Sequence, residues 1–383
     1  MRILLVAPVK DARRSASFFY AFHNHLVNGF TRNGHFVLTF GDYAYLKHTL
    51  GIRKIAIKLA NRDLLEVARQ LRPDLLCLHM SVLITSETVH RIKEELPGCR
   101  VAVTWYDPIF SADRGGRFAR RLDGADFGFA TTAGPTLAEF AGRCPVAFIP
   151  NPIDVSVENV KAYATRDKTA DVFCAMRKEG PVNRFAFVDE LQREKPALSY
   201  AIYGRNKQDL LYGDAYYRAL DLARVGLNLN KREGDLYASD RMAQYLGNGL
   251  LVASYRRSGF HEYFDDDEMI FFDGPLDLGE QIERAVADDT RWRLMAERGR
   301  AKALALMNET RVTDFVLRMT LGLGPPRDWP FLSHIFPHAA RIEASSAMPQ
   351  NQRECGLSDD QEGLPPDTRH EHCAPGFGTS RGA

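Results

Sequence analysis

The sequence has no excess of one charge sign: Lys plus Arg number 50 and Asp plus Glu number 49 in 383 residues. Such a balance supplies no bulk positive field, which argues against a nucleic-acid partner. Long hydrophobic runs are missing too. No stretch approaches the roughly 20 apolar residues of a membrane span. Met1 leads directly into Arg2 and a short run, Ile3-Leu4-Leu5-Val6-Ala7, too brief for a signal peptide and better read as a first buried strand. Cysteine is scarce. Cys77, Cys99, Cys144, Cys174, Cys355 and Cys373 form no CxxC pair, so neither a disulfide framework nor a zinc spacing is present. They read as reduced thiols of a cytoplasmic protein. No GxGxxG follows the first strand; Pro8-Val9-Lys10-Asp11-Ala12-Arg13-Arg14 stands there instead, leaving little support for dinucleotide oxidoreductase chemistry. That basic loop is either solvated or meets an acidic acceptor or a membrane headgroup.

What is present is an ordinary globular composition, 45% apolar and 26% charged, arranged in two alternating series. Short β-rich apolar runs fall at 2–7, 36–40, 74–78, 101–105, 126–131 and 146–149. Helical patterns at 16–32, 61–71, 86–96, 114–122 and 135–141 separate them. This is the signature of βα units and a parallel sheet. The pattern breaks at Ile149-Pro150-Asn151-Pro152, where two prolines forbid helix and disfavour a central strand. The second series has strands at 171–175, 199–203, 226–229, 250–253 and 269–272. Its helices are expected at 183–192, 215–222, 240–246, 278–287, 289–306 and 310–321. The reading is an α/β chain of two Rossmann-like domains facing across a cleft: 1–150, a linker 151–170, and 171–321. Residues 322–383 hold eight of the 19 prolines. There Trp329-Pro330-Phe331-Leu332 and Ile335-Phe336 have apolar surface enough to dock on a domain, and disorder is expected beyond about 344. His370, His372 and Cys373 read as a solvated tail rather than a metal site.

The sharpest segment runs from Ser239 to Ala253, a capped helix, a glycine turn and a buried strand. Ser239 or Asp240 is placed to cap the helix, whose free N–H groups suit an anion. Just upstream, Asn228-Leu229-Asn230-Lys231-Arg232 ends a strand. Amides and cations at a strand end before a helix tip make a plausible cradle for a nucleoside diphosphate, or a solvated basic loop beside a capped helix.

The stretch from Gly226 to about Leu321 resembles the C-terminal domain of group 1 glycosyltransferases, in the branch of spore-maturation-type proteins and bacterial polysaccharide enzymes. Arg241, Gln244 and Gly249 match its arginine, polar residue and strand-leading glycine. Phe260-His261-Glu262-Tyr263-Phe264, Met269-Ile270-Phe271-Phe272 and the helices at 276–287 and 291–306 continue the match. Asn33-Gly34-His35, Arg72-Pro73-Asp74-Leu75-Leu76 and Ile149-Pro150-Asn151-Pro152 extend it more loosely, to about 320 residues in all. The resemblance implies the GT-B fold, with a nucleotide-sugar donor in the second domain and an acceptor mostly in the first. Many members carry two glutamates eight residues apart. Here Leu236 and Gln244 occupy those places. Gln244 retains donors and an acceptor for a ribose hydroxyl, and Glu233, Asp235 and Asp240 lie close enough in sequence to replace the lost carboxylate.

A departing diphosphate gathers negative charge in the transition state, so cations are expected to hold it. Arg184, Lys231 and Arg241 are favoured, with Arg205 next; Arg177 and Lys178 follow another strand. The expected donor set is therefore Arg184, Arg205, Asn228, Asn230, Lys231, Ser239, Asp240, Arg241 and Gln244, with no metal and no cofactor. In the first domain His79 and Asp107 end strands facing the cleft, where either can orient or deprotonate an acceptor hydroxyl. The alternatives are a hydrogen-bonded histidine and an aspartate capping the turn before Pro108. Thr131 and Thr132 are lesser candidates for substrate contact. The expectation is a retaining hexosyltransferase acting on a glycan or lipid-linked glycan in bacterial surface polysaccharide or lipopolysaccharide synthesis, cytoplasmic or at the inner membrane face with peripheral membrane contact. A catalytically silent GT-B binding module and a sugar-nucleotide epimerase are the rivals.

Overall fold

The structure is a computed structural model, and it describes residues 1–338 apart from 10, 179–182, 238 and the side chain of Ala12. The expectations for Cys355, His370, His372, Cys373 and disorder beyond 344 lie outside the described residues.

Two sheets organise the chain. The first draws on β1 (Arg2–Ala7), β2 (Phe36–Gly41), β3 (Leu75–His79), β4 (Arg100–Trp105), β5 (Phe127–Ala130) and β6 (Val146–Phe148). Around it run α1 (Ala12–Ser17), α2 (Phe22–Arg32), α3 (Ala44–His48), α4 (Arg53–Leu71), α5 (Ser86–Glu95), α6 (Ala112–Arg121) and α7 (Gly134–Ala138). The second sheet contains β7 (Ala170–Ala175), β8 (Tyr200–Tyr203), β9 (Ala223–Asn228), β10 (Leu251–Tyr255) and β11 (Ile270–Phe272). Its helices are α8 (Arg184–Glu194), α9 (Gly213–Asp221), α10 (Asp240–Gly247), α11 (Pro275–Val286) and α12 (Asp289–Met307). The chain then returns to the first sheet through α13 (Glu309–Thr320) and β12 (Ile335–Phe336).

The strand orders are β12-β6-β5-β4-β3-β1-β2 and β11-β10-β9-β7-β8. All pairs are parallel except β12 on β6. Both sheets therefore reverse direction of growth beside their first strand. In open α/β sheets that reversal opens a crevice at the carboxyl ends. The central strands are apolar nearly throughout because helices cover both faces: β1 buries every residue after Arg2, and β3 buries all five. Helix starts follow local chemistry. Thr85, Ser111, Asp288 and Asn308 each accept a backbone N–H from the first turn of the following helix.

Helix α3 and strand β12 are absent from the sequence reading, and among the other departures three shape the packing. The helix expected over 16–32 is two helices, broken at 18–21. There Phe18, Phe19 and Tyr20 turn to meet Tyr212, Tyr216 and Tyr217 at the start of α9, with ring centroids 4.9–5.7 Å apart. Helix α4 begins at Arg53, not 61. Its inner stripe is Ala56, Ala60, Leu64 and Ala68, whose early members are too small to announce a buried face. Helix α13, read with the second domain, packs on α2, β4 and β5 of the first. Gly29 makes that possible: a Cβ there would lie 2.4 Å from the Glu309 carbonyl.

The chain passes between the sheets twice at one place. Ile153 of the outgoing segment exchanges backbone hydrogen bonds with Met307 and Glu309 of the returning one, at 2.9 Å each. Beside them lies a buried polar hub. Glu158, 1% exposed, accepts from His25 Nε2 at 2.9 Å, from the Asp154 N–H at 2.9 Å and from the Tyr217 hydroxyl at 3.3 Å. Asp154, fully buried, accepts from Asn28 at 2.6 Å and Arg32 at 2.7 Å. Helix α2, the outgoing segment and α9 are thus tied at one point. Further on, Trp329 stacks on Phe315 with centroids 3.9 Å apart and an interplanar angle of 6°, and Phe331 packs on Phe148.

Two predictions follow from this packing. Trp329 is 2% exposed, so Trp329→Ala should cost about 3 kcal/mol in urea unfolding, whereas a freely solvated segment would show no change. The second concerns pH. Burial alone would lower the pKa of His25, but the charge and hydrogen bond of Glu158 outweigh it and hold it above 6.5. Burial and the charge of His25 push His23 down to about 4. Between those values the unfolded state binds more protons at His23, so stability rises with pH up to 6.5. Above 6.5 the folded state holds the extra proton at His25, and its contribution is lost as pH climbs through that raised pKa. Unfolding free energy should therefore peak near the ordinary imidazole pKa. His23→Gln should flatten the acid limb and His25→Gln the alkaline limb; unchanged limbs would refute the assignment.

Candidate functional site

A cavity of about 610 Å³ lies at the carboxyl ends of β7, β9 and β10, closed on the far side by the loop after β4. The second sheet contributes Arg184 and Phe187 of α8, Asn230, Lys231, Arg232 and Glu233 after β9, and Tyr255 and Arg257 at the end of β10. The first contributes Pro108, Phe110, Ser111 and Arg114. The position is the switch point of the second sheet, between β7 and β9, where strand polarity and topology leave a crevice.

Its electrostatics are cationic with one carboxylate. Arg114, Arg184, Lys231, Arg232 and Arg257 stand in the wall. Glu233 accepts from the Asn230 backbone N–H at 3.0 Å and from its side-chain amide at 2.9 Å. Burial pushes the Glu233 carboxyl above its ordinary range, against those two hydrogen bonds. Two cations are braced on rings: Arg232 lies 4.5 Å from the Phe110 centroid, across the cleft, and Arg257 lies 4.2 Å from that of Tyr255. The 229–237 loop is further fastened to the first domain. Ala133 N donates to the Asp235 carbonyl and Thr136 Oγ1 to its carboxylate, each at 2.6 Å. Asp235 and Leu236 both take left-handed backbone angles there, φ 48 and 52.

The sequence candidates separate into three groups. Arg184, Asn230 and Lys231 line the cavity. Arg184 is 5% exposed and donates to the Leu229 carbonyl at 3.1 Å and the Arg177 carbonyl at 2.8 Å. Asn230 donates to the Tyr237 carbonyl and accepts the Ser239 N–H. Both shape the wall as well as facing it.

A second group supports that wall from behind. Asn228 is fully buried between Ser254 and Ser239. The Ser239 hydroxyl is therefore turned to Asn228 at 2.9 Å rather than capping α10, and the Asp240 carboxylate accepts the neighbouring Arg241 N–H. Arg241 donates to the Leu229 carbonyl at 2.7 Å, the same oxygen that Arg184 holds. None of these four is in the cavity lining.

The third group sits apart. Arg205 pairs with Asp189 and lies 4.9 Å from the Phe185 ring centroid. Gln244, 4% exposed, accepts from the Tyr216 hydroxyl at 2.9 Å. It thus faces Tyr216 of α9, within the aromatic cluster there. In the first domain His79, 4% exposed, shares a 3.0 Å hydrogen bond with Thr104 and packs on Tyr106. Asp107 is half-buried beside Pro108 of the cavity wall. Burial, with the charge of Asp107 adding to it, raises the Tyr237 phenol well above its usual range. Thr131 donates to the Tyr106 carbonyl and, like Thr132, is buried. Cys77, Cys99, Cys144 and Cys174 are buried free thiols. Among the described residues no three His, Cys, Asp or Glu side chains are grouped to hold a metal ion.

Phe110, Arg114, Tyr255 and Arg257 were not anticipated. Ending the strand at 253 instead of Tyr255 hid the last two, and the strand-end rule applied at the true end finds them.

Residues 184–316 match the sequence profile of a family described as "Glycosyl transferase-like". A search of curated proteins gives no significant match. Among solved structures, HepE from Anabaena in complex with UDP and glucose has 12% identity and a TM-score of 0.51, over 84% of this chain and 100% of that one. The E. coli trehalose-6-phosphate protein bound with UDP-2-fluoro glucose has 11% identity and a TM-score of 0.52, over 85% and 100%. The trehalose-6-phosphate phosphatase N-terminal domain of Candida albicans gives 11% and 0.51, over 84% and 96%. The fold is GT-B, as the sequence resemblance implied.

The geometry distinguishes two arginines that look alike in sequence. Arg184→Met should remove about 3 kcal/mol of unfolding free energy, because two backbone carbonyls lose a charged donor. Arg205→Ala, at a surface ion pair, should stay within about 1 kcal/mol of the parent. Equal effects in urea titration would contradict this placement.

Proposed function

We propose that this protein is a glycosyltransferase that takes its sugar from a nucleoside diphosphate donor and delivers it to a glycan hydroxyl. The observation that carries the reading is the cationic cavity at the switch point of the second sheet, opening on the first sheet's carboxyl edge. HepE and the E. coli protein bind UDP or a UDP-sugar on the same fold, which makes uridine diphosphate the first donor head to test.

In this proposal Lys231, Arg257 and Arg114 neutralise the diphosphate, with Arg184 holding the Leu229 carbonyl so that the loop bearing Lys231 keeps its shape. The bond from the sugar C1 to the β-phosphate oxygen breaks, and the electron pair leaves with the diphosphate. The acceptor oxygen bonds to C1 and surrenders its proton. Asp107, beside Pro108 of the cavity wall, is the group to receive that proton; His79, held by Thr104 and packed on Tyr106, supports the strand end from which Asp107 follows. Cationic side chains do the neutralising work here, without a metal or other cofactor. Glu233 is the carboxylate placed to contact donor hydroxyls, in the role that the resemblance gives to a glutamate at 236 or 244. Retaining hexosyl transfer onto a bacterial surface polysaccharide or lipopolysaccharide, glycan or lipid-linked, extends the proposal along the sequence resemblance.

One observation favours a second reading. Leu236 is buried and Gln244 is turned to Tyr216, so neither family carboxylate position offers a charge to the cavity. A silent binding module would keep nucleotide affinity and lose turnover.

Thermal unfolding with uridine, guanosine, adenosine and cytidine diphosphates should show a rise for one base. Lys231→Ala and Arg257→Ala should each weaken that nucleotide about tenfold. Asp107→Asn should lower transfer to an acceptor with the nucleotide affinity kept. Binding without donor consumption on any glycan would favour the silent module, and no binding of any nucleotide would refute both.

A further inference from the structure

The corner where α3 meets α4 is built unlike the rest of the surface. Residues 43–62 contain Lys47, Arg53, Lys54, Lys58 and Arg62 and no Asp or Glu, in a chain whose formal net charge is +1. Residues 50–55 are all exposed, and the apolar ones among them are large: Leu50 is 93% exposed, Ile52 52% and Ile55 45%. Leu50 takes a left-handed φ of 52, followed by Gly51 at 82. A leucine in that conformation, held in water, serves neither the core nor the turn, where glycine or asparagine would be favoured.

Beyond the corner, Lys54, Lys58 and Arg62 recur at four-residue spacing along the exposed face of α4, while Ala56, Ala60 and Leu64 face inward. Lys47 pairs with Asp11 and Arg62 with Asp63. Among the described residues Lys54 and Lys58 form no ion pair, so the stripe keeps its positive sign.

The placement is specific. Asp42, directly after β2, accepts from Ser81 and from the Val82 and Leu83 N–H groups after β3. Arg53 donates to the Val82 carbonyl. The corner is therefore bound to the loops at the carboxyl edge of the first sheet, the edge that faces the cleft.

We propose that this corner seats the protein on an anionic lipid surface, with Leu50, Ile52 and Ile55 entering the headgroup boundary and Lys54, Lys58 and Arg53 meeting lipid phosphates. Exposed aliphatic side chains ringed by cations fit that partner, since apolar insertion and charge attraction act together there. Among the described residues no helix is long and apolar enough to cross a membrane. The inference stands independently of the donor reading.

The full chain should co-sediment with vesicles of phosphatidylcholine mixed with phosphatidylglycerol, poorly with phosphatidylcholine alone, and less as salt rises. Leu50→Glu, Ile55→Glu and the double variant Lys54→Glu/Lys58→Glu should each weaken partitioning about tenfold or more. Their thermal unfolding should match the parent, because the altered side chains are exposed. Binding that ignores lipid charge, or that survives all three variants, overturns the proposal. So does a concentration-dependent dimer abolished by Leu50→Glu, which would assign the corner to a second copy of the chain.

Discussion

A carboxylate shut away from water needs every lone pair answered, and Glu158 is that group here. It sits where the chain leaves the first domain, and its partners come from α2, from its own segment and from α9. Removing one partner from such a cluster strands a buried charge, which costs far more than the net value of the contact. The same requirement dictates Gly247: a Cβ there would stand 2.7 Å from the Glu158 side chain. One polar hub thus sets the approach of α2 to α9 and of α10 to the crossing segment. The mutual placement of the two sheets depends on it, and with that the width of the cavity between them.

The crossing is reinforced by apolar contact. Rings at 18–20 meet rings at 212–217, and the core continues without a break from β1 through this cluster to α10. Aromatic pairs add specificity of geometry to burial. Two Rossmann-like domains joined this way share one hydrophobic interior on the crossing side and part on the other, and the cavity opens where they part.

Strand ends carried most of the legible information. The strand expected at 226–229 is β9, which starts earlier, at Ala223, and ends at Asn228; its carboxyl end is legible to within one residue, and so Asn230 and Lys231 are read at the strand end where the cavity lies. Helix α13 shows the opposite case. Its sequence pattern states that one face is buried and says nothing of which sheet buries it; Gly29, far away in sequence on α2, holds that information. Ser239 and Gln244 show a third case. Each has a side chain able to face a ligand, yet the nearest unmet partners were internal, Asn228 and Tyr216, and internal hydrogen bonds took them. Periodicity locates faces, and it does not tell which polar group reaches its neighbour first.

The loop at 229–237 is pinned at both shores: Arg232 rests on Phe110, and Asp235 is tied to Ala133 and Thr136. It is also the floor of the cavity. A floor riveted to the opposite bank cannot yield to an incoming molecule by itself, so any tilt of one domain is transmitted to the other like the two jaws of a clamp sharing a pin.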